Sequence, residues 1–303
     1  MVLLAVHIAD GVLNWPWLAG GFAITAVLAW LGAWKIRDEE IPRVALLTAA
    51  FFVASQIHVR IGPTSVHLIL NGLVGVILGW RAALAIPVGL LLQATLLGHG
   101  GVAALGVNCC VMLIPALLAR PGYLAFQCMP WLRRRWFRDL LVGIGMFAWL
   151  ACLIVSVVLL LADSPAGPRL HGWALDLARF SPWPAPTDET PLSWAAFVLF
   201  HPFTLVGCLL IALAAVRIDR RLENDENFLV GLLLGQFTVL ETILLNGLVL
   251  AYGAQENWET LAKLVFVAHL PIAAVEGIVL GFTLSFLAKV RPDILGRKAS
   301  VEA

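Results

Sequence analysis

The sequence carries few charged residues and none of the common catalytic motifs. Charged residues make up 13% of its 303 residues and hydrophobic residues 61%, with a mean hydropathy of +0.92. The motifs H-E-x-x-H, G-x-S-x-G and G-x-x-x-x-G-K-[ST] are absent, which argues against a zinc protease, a serine hydrolase and an ATPase of those types. A net charge of +1 gives no reason to expect a nucleic-acid partner. We therefore expect an integral membrane protein that is not an enzyme.

Cysteine motifs and a secretion signal are missing as well. The 5 cysteines show neither metal nor disulfide spacing, since Cys109 and Cys110 are adjacent and the other three are scattered. Residues 1–6 are apolar, but they are too few and lack the basic start of a signal peptide. We therefore expect membrane insertion to depend on the transmembrane helices themselves.

Long apolar runs dominate the rest of the sequence. Several reach the roughly 20 residues that a helix needs to cross a bilayer, and together they predict one all-α polytopic domain over residues 1–303 with nine spans. The predicted spans are Val12 to Trp34, Val44 to Ile57, His67 to Trp80, Ala82 to Gly98, Val102 to Leu118, Leu140 to Leu161, Trp194 to Val216, Phe228 to Ala251 and Leu264 to Ala288. The stretch from Asp163 to Leu192 contains several prolines and tryptophans, and we expect a non-helical loop there, on the membrane surface.

The positions of lysine and arginine predict the orientation of these spans. Basic groups fall at residues 35–43, 81, 120–138, 217–221 and 289–298, which are alternate connections. Such groups mark the cytoplasmic side, so we expect the N-terminus outside and the C-terminus inside the plasma (inner) membrane. All seven histidines then fall at or near the outer ends of the spans. They are His7, His58, His67, His99, His171, His201 and His269.

This grouping of imidazoles suggests a site for a divalent cation. Imidazole nitrogen suits soft-to-borderline metals, and ionisable groups near membrane depth are costly and often functional. Two other interpretations remain open. Histidine also tolerates the membrane interface without any function, and His201 with His269, near the ends of two spans, would suit haem ligation in a membrane redox protein.

A short polar break from Gly62 to His67 separates two apolar runs. Glycine and proline interrupt regular structure here, and Thr64 and Ser65 are residues that favour a helix start. We expect His67 on the first turn of a helix at the mouth of the protein. Its imidazole there either faces water or ligates a captured ion.

Pairs of small residues at four-residue spacing mark candidate contacts between helices. The pairs are Ala29 with Ala33, Gly231 with Gly235, and Gly277 with Gly281. Internal packing is the simpler interpretation. Contact with a partner membrane protein is the alternative, and Ala29 and Ala33 are our candidates for it.

Glu276 and His269 lie in one apolar run, seven positions apart. Seven residues make two helical turns, so both side chains are expected on one side of a helix. An unpaired carboxylate within a span is expensive. We therefore expect these residues to belong to an internal polar network.

Four segments resemble the CbiM/NikM proteins, the substrate-capture (S) components of energy-coupling-factor transporters for cobalt and nickel ions. His7 to Leu13 resembles the family's N-terminal signature, and Gly62 to Trp80 resembles its second histidine segment. Leu96 to Asn108 resembles its glycine-rich turn, and His269 to Leu295 its C-terminal end. The match covers roughly the first 120 residues and the last 35, and the motifs are specific when taken together.

The resemblance implies capture of a bare Co²⁺ or Ni²⁺ ion outside the cell, with no permanent cofactor. In the family the ion is held by the N-terminal amine, by the backbone nitrogen and imidazole of a histidine at the second position, and by a histidine matching His67. Carried over, this names His7 and His67 as ligands in a square-planar arrangement, which suits Ni(II) and can suit Co(II). The residues expected to orient these ligands are Asp10, Thr64, Ser65, His99 and Asn108.

The resemblance also implies partners. A transmembrane coupling protein and two ATPases would drive release of the ion inside the cell. An importer that uses an ion gradient and no ATPase is the alternative within the transport class.

Three features depart from the family pattern. His7 is the seventh residue here, so residues 1–6 would displace the free amine, and we expect that Val6 is read as an alternative start so that the mature chain begins Met-His. His99 stands where the family's glycine-rich turn has an acidic residue. Residues 121–227 are more numerous than the family leads us to expect, and the loop at 163–192 either covers the outer mouth or touches a small accessory membrane subunit.

Overall fold

A computed structural model of the chain describes residues 7–61, 64–162, 167–186, 190–221, 226–256 and 259–296. These residues form eleven α-helices, four short 3-10 helices and one two-stranded hairpin. The helices are α1 Trp15–Ala33, α2 Ile41–Ala54, α3 Asn71–Leu78, α4 Ala82–Leu97, α5 Leu105–Gln127, α6 Arg135–Ala162, α7 Gly167–Ala178, α8 Pro191–Phe200, α9 Pro202–Arg221, α10 Glu226–Gly253 and α11 Glu259–Val290, and the strands are β1 His58–Ile61 and β2 Thr64–His67. The predicted polytopic helical class is confirmed.

The described residues divide into two compact units. Unit 1 draws on residues 1–130 and 225–303, and unit 2 on residues 131–224. Unit 1 therefore contains α1 to α5, the hairpin, α10 and α11, and unit 2 contains α6 to α9. A single domain over the whole chain stays a prediction.

Seven apolar segments of the described chain are long enough to cross a membrane, judged by length and composition. They are Trp15–Ala33, Asn71–Leu97, Leu105–Gln127, Arg135–Leu159, Pro202–Arg221, Glu226–Gly253 and Ala268–Val290. The predicted second span forms α2, whose 14 residues rise about 21 Å, less than the roughly 30 Å of bilayer hydrocarbon. The nine predicted spans and the orientation of the termini are not confirmed.

Two predicted elements of unit 2 are wrong in detail. The single span predicted from Trp194 to Val216 is divided into α8 and α9 at His201, whose ψ of 134° is extended. The cause is Pro202, because proline disfavours helical backbone at the preceding residue. The stretch predicted as a non-helical loop also contains α7, a helix of 12 residues.

The break from Gly62 to His67 contains a β-hairpin strand and not the start of a helix. Strands β1 and β2 pair antiparallel, with His58 opposite His67. Helix α3 begins only at Asn71, so the prediction that His67 opens a helix is wrong. The β-branched residues Val59, Ile61 and Val66 favour strands, and a hairpin satisfies their backbone groups locally.

Helices α10 and α11 pack against each other through glycine. A Cβ atom added to Gly231 would lie 2.6 Å from Cα of Gly281, and one added to Gly235 would lie 2.7 Å from Cα of Gly277. Such small residues let two backbones approach closely, so internal packing is confirmed for these two pairs. The close contact fixes the position of α11, which carries Glu276 and His269 beside the hairpin.

Candidate metal centre

The imidazoles of His7 and His67 lie together in unit 1. Their rings stack with centroids 5.1 Å apart and an interplanar angle of 21°. They are 3% and 4% exposed, although His7 comes from the segment before α1 and His67 from the end of β2. The fold therefore brings the two expected ligands into one buried pair.

Asn108 holds the backbone beside His7. Its Oδ1 accepts a hydrogen bond of 2.8 Å from the Ile8 N–H, and its Nδ2 donates one of 2.9 Å to the Ile8 carbonyl oxygen. The Asn108 side chain thus satisfies the backbone N–H and C=O of Ile8, as a neighbouring strand would, and Ile8 is itself buried. Asn108 lies in the first turns of α5, and its role in orienting a metal ligand stays a prediction.

Asp10 and the glycine-rich turn fix the same segment from its other side. The Asp10 carboxylate accepts hydrogen bonds from the N–H groups of Val102 (3.1 Å) and Ala104 (3.0 Å). Gly101 donates its N–H to the Ile8 carbonyl at 3.2 Å. Gly100 has a φ of +74°, and a Cβ there would lie 3.0 Å from Cβ of His7. Only glycine fits this close approach, so the turn and the His7 segment shape each other.

We expect Asn108→Leu to weaken metal binding about 10-fold. The change leaves the buried N–H of Ile8 without a partner, at a cost of about 1–3 kcal/mol, and the Ile8 carbonyl keeps only the bond from Gly101. His7 thereby loses its fixed position. Calorimetric titration with Ni²⁺ measures the effect. Asn14→Leu is the matched control, because the Asn14 side chain caps nothing at the start of α1. Equal affinity in the two variants would contradict the orienting role of Asn108.

His67 is held by contacts on both sides. Its Nδ1 lies 2.9 Å from the carbonyl oxygen of Leu68, and because a carbonyl only accepts, Nδ1 carries the proton and Nε2 the lone pair. The Glu276 carboxylate, 4% exposed, accepts hydrogen bonds from the N–H groups of Ile69 and Leu70, the latter at 3.0 Å. Leu70 has the unusual φ of +50°. Glu276 therefore secures the turn that joins His67 to α3.

Two residues near this pair were not predicted as part of the site. The Gln93 amide, 1% exposed, lies beside the His7 imidazole, yet no hydrogen bond of normal geometry joins it to any described residue. His269 is fully buried, donates its Nδ1–H to the Val265 carbonyl at 2.7 Å, and interacts electrostatically with His7. An amide within the apolar helix α4 marks Gln93 as unusual in the sequence, but it does not place Gln93 beside His7.

The electrostatic surroundings keep His7 neutral. Burial lowers its pKa well below the usual value of 6.5, and the neighbouring imidazoles of His67, His99 and His269 lower the pKa further. A neutral imidazole has the lone pair that a metal requires. No group of three or more His, Cys, Asp or Glu side chains among the described residues is arranged to hold a metal. The stacked pair of His7 and His67 therefore remains the candidate for a metal site.

Three other residues were expected to orient the ligands, and the structure describes the side chain of only one of them. Thr64 and Ser65 lie in β2, and their side chains are outside the described part of the structure. His99 is half-buried and donates its N–H to the Gln93 carbonyl at 3.2 Å. Among these three, His99 is the one whose described contacts bring it toward His7.

The two residues expected to contact a partner lie on α1. Ala29 is half-buried and Ala33 is exposed. Most large side chains of this helix are also exposed, among them Trp30, which is 57% exposed. Partner contact at Ala29 and Ala33 stays a prediction.

The histidines of the haem interpretation fall in different units. His201 lies in unit 2, where its ring is fully buried with its centroid 5.3 Å from that of Phe203. His269 lies in unit 1 beside the His7 pair. His269 therefore has an evident role other than pairing with His201.

Comparison with known proteins identifies a family. The family model CbiM, described as the cobalt uptake substrate-specific transmembrane region, matches residues 7–207 and 196–294. The chain is 46% identical over 114 residues to a putative metal transport protein of Haemophilus influenzae, covering 38% of this chain and 55% of that protein. It is 38% identical over 115 residues to the fused nickel transport protein NikMN of Rhodobacter capsulatus, covering 36% and 33%.

A third relative and a solved structure are also similar to the chain. The cobalt transport protein CbiM of Sorangium cellulosum is 35% identical over 131 residues, covering 40% of this chain and 57% of that protein. The matches thus span about a third to just over half the length of these relatives. A crystal structure of a transition metal transporter aligns over 94% of this chain and 93% of its own, with 20% identity and a TM-score of 0.46.

Proposed function

Because the chain belongs to the CbiM family and is a multi-pass inner-membrane protein, we propose that it captures Co²⁺ or Ni²⁺ for import. The ion binds at the outer face between His7 and His67. A transmembrane coupling protein and partner ATPases supply the energy that passes it inward. The observation that carries the proposal is the buried, stacked pair of imidazoles in a member of a metal-uptake family.

The chemistry of the pair suits a bare transition-metal ion. A nitrogen ligand lies about 2.0 Å from such an ion, so the two donor atoms must lie within about 4 Å of each other. Ring centroids 5.1 Å apart place the two imidazoles within reach of one ion. Backbone nitrogen of the His7 segment supplies a further ligand of the same kind, which favours Ni(II) and Co(II) over the oxygen-seeking Mg²⁺ and Ca²⁺.

The surroundings of the pair keep water away from the ion. His7, His67 and Ile8 are all at most 4% exposed, so an ion at this place exchanges its hydration shell for nitrogen ligands. Asn108 and Asp10 hold the His7 segment, and the arrangement is therefore formed before the ion arrives. Because these residues are already ordered, less conformational entropy is lost when the ion binds.

Acid is expected to release the ion, and this experiment tests the proposal. Protons compete with metal for imidazole. Because burial and the neighbouring imidazoles lower the pKa of His7, protonation begins below the usual histidine range, so binding is expected to persist through that range and to be lost at lower pH. Metal content, measured by mass spectrometry after exposure to equal cobalt and nickel, is expected to be about one ion per chain at pH 7.5 and to recover when acid is neutralised.

The control for acid unfolding is circular dichroism of the same samples. Helix content must stay constant while the metal leaves. Absence of bound metal at every pH, or a metal content that stays constant as the pH is lowered while the helices remain folded, would contradict capture by imidazole.

The source of energy is tested by purification from native membranes. Co-purification of an ATPase with the chain is expected, since the sequence contains no nucleotide-binding motif of its own. Cobalt uptake that persists without ATP and stops when the ion gradient is dissipated would favour the gradient-driven alternative. Membership in a transport family leaves the haem interpretation without support.

A further inference from the structure

A second polar feature lies at the opposite end of unit 1 from His7. Arg81 donates hydrogen bonds to the carbonyl oxygens of Gly32 (2.7 Å) and Trp34 (2.9 Å), at the end of α1. His7 precedes the start of the same helix, whose 19 residues rise about 28 Å. A cavity of about 500 Å³ opens beside Arg81. The cavity and the metal pair are therefore separated by about one membrane thickness.

Both carboxylates in the cavity wall are already held by arginine. Glu40 accepts a hydrogen bond of 2.9 Å from Arg81, which lowers the pKa of Glu40. Asp293 accepts one of 2.8 Å from Arg291, and this contact, with a smaller contribution from Arg43, lowers its pKa. The acidic groups are thus ionised and bonded to Arg81 or Arg291, so the two other arginines of the wall add net positive charge to it.

Arg120 and Arg43 provide this excess positive charge. Within the described residues neither forms an ion pair. Arg120 donates its Nη1–H to the Val76 carbonyl at 3.0 Å, which fixes the guanidinium at the end of α3. Gly79 and Gly296 pass beside it. A Cβ atom added to Gly79 would lie 3.0 Å from Arg120 Cδ, and one added to Gly296 would lie 3.4 Å from Arg120 Nη2. The cavity side of the guanidinium is therefore fixed in place and unobstructed by side chains.

The rim of the cavity has the character of a membrane interface. Trp34 and Trp80 line it and are 55% and 62% exposed. Leu31, one turn earlier on α1, is 41% exposed and lines the cavity on the side of the span. Tryptophan concentrates at the headgroup level of bilayers, and the cavity lies where the apolar span α1 ends. A ligand here meets guanidinium groups at one end and an apolar surface at the other.

We propose that this cavity binds a phosphate group at the membrane surface, as the headgroup of an anionic phospholipid or as free phosphate. Guanidinium matches phosphate oxygens in charge and geometry, and basic pockets between transmembrane helices bind lipid headgroups. Arg43 and Arg120 contact the phosphate, and Trp34 and Trp80 flank it. The site is independent of the metal centre.

Native mass spectrometry of the purified chain tests this site. The protein is measured in three separate detergent solutions, which contain phosphatidylglycerol, phosphatidylcholine or inorganic phosphate. The parent chain is compared with the variants Arg43→Gln and Arg37→Gln. The parent is expected to retain phosphatidylglycerol over phosphatidylcholine, and Arg43→Gln to reduce that preference about 5-fold. Arg37→Gln removes the same charge from an exposed neighbour that does not line the cavity, so its preference is expected to equal that of the parent.

The outcomes separate the two sources of phosphate. Retention of phosphatidylglycerol that depends on Arg43 supports a lipid site. Binding of inorganic phosphate that depends on Arg43, without lipid preference, supports a free-phosphate site. Equal losses in Arg43→Gln and Arg37→Gln, or no preference for either probe over phosphatidylcholine, would overturn the proposal and leave an acidic partner protein as the occupant to seek.

Discussion

His67→Ala is expected to abolish retention of cobalt and nickel while leaving the helices folded. The substitution removes one of the two buried imidazoles, and the remaining nitrogen cannot hold an ion against water. Loss of a residue that only orients a ligand costs 10- to 100-fold in metal affinity, and loss of the ligand itself exceeds that. Mass spectrometry after exposure to equal cobalt and nickel should find about one ion per parent chain and less than about a tenth of that in the variant.

His201→Ala provides the matched control. His201 is also a fully buried imidazole, and its Nδ1 accepts a hydrogen bond of 3.3 Å from the Phe203 N–H, but it lies in unit 2. We expect it to keep the parent's metal content, whereas His7→Ala should behave as His67→Ala does. If His67→Ala carried as much metal as the parent, the paired imidazoles would not be the site, and family membership would inform the fold alone.

Gly101→Ala is expected to weaken metal binding by about 10- to 100-fold without touching a ligand. A Cβ at this position would lie 1.8 Å from Asp10 Oδ1 and 2.4 Å from the Asp10 backbone nitrogen. No rotamer relieves contact with backbone, so the segment from His7 to Asp10 must move away from the turn, and overpacking of this kind costs about 1–3 kcal/mol. Calorimetric titration with Ni²⁺ gives the affinity.

Gly20→Ala is the control for this substitution. Gly20 lies in α1, and a Cβ there meets nothing within 4 Å, so metal affinity should not change. Thermal unfolding of both variants separates loss of the site from loss of the fold. Parent-like affinity in Gly101→Ala would show that the glycine-rich turn does not position His7.

The apolar runs predicted the long helices well, because burial in lipid demands unbroken hydrophobic sequence and satisfied backbone bonds. Helices α1, α5, α10 and α11 lie where such runs occur. The hairpin was missed because Thr64 and Ser65 favour a helix start and also suit a strand, and one sequence does not separate these preferences. The break at His201 was signalled by Pro202, but the apolar residues around it favoured one continuous span.

The candidate site was predictable in part. The resemblance named His7, His67, Asp10 and Asn108, because these side chains lie in recognisable local motifs. Gln93 was not named, since its place beside His7 depends on how α4 packs against the N-terminal segment, and local sequence does not report that packing. Partial satisfaction of its buried amide becomes visible only when the elements are assembled.

The contact between Glu276 and residues 69 and 70 has a mechanical consequence. Two backbone N–H groups next to His67 are bonded to one carboxylate on α11, and α11 is pressed against α10 along paired glycines. A tilt or axial slide of α11 must therefore either break those bonds inside the protein or carry the His67 backbone along with it. Helix α11 is the longest of the described helices, so a displacement along it is transmitted to the backbone of His67, the proposed ligand.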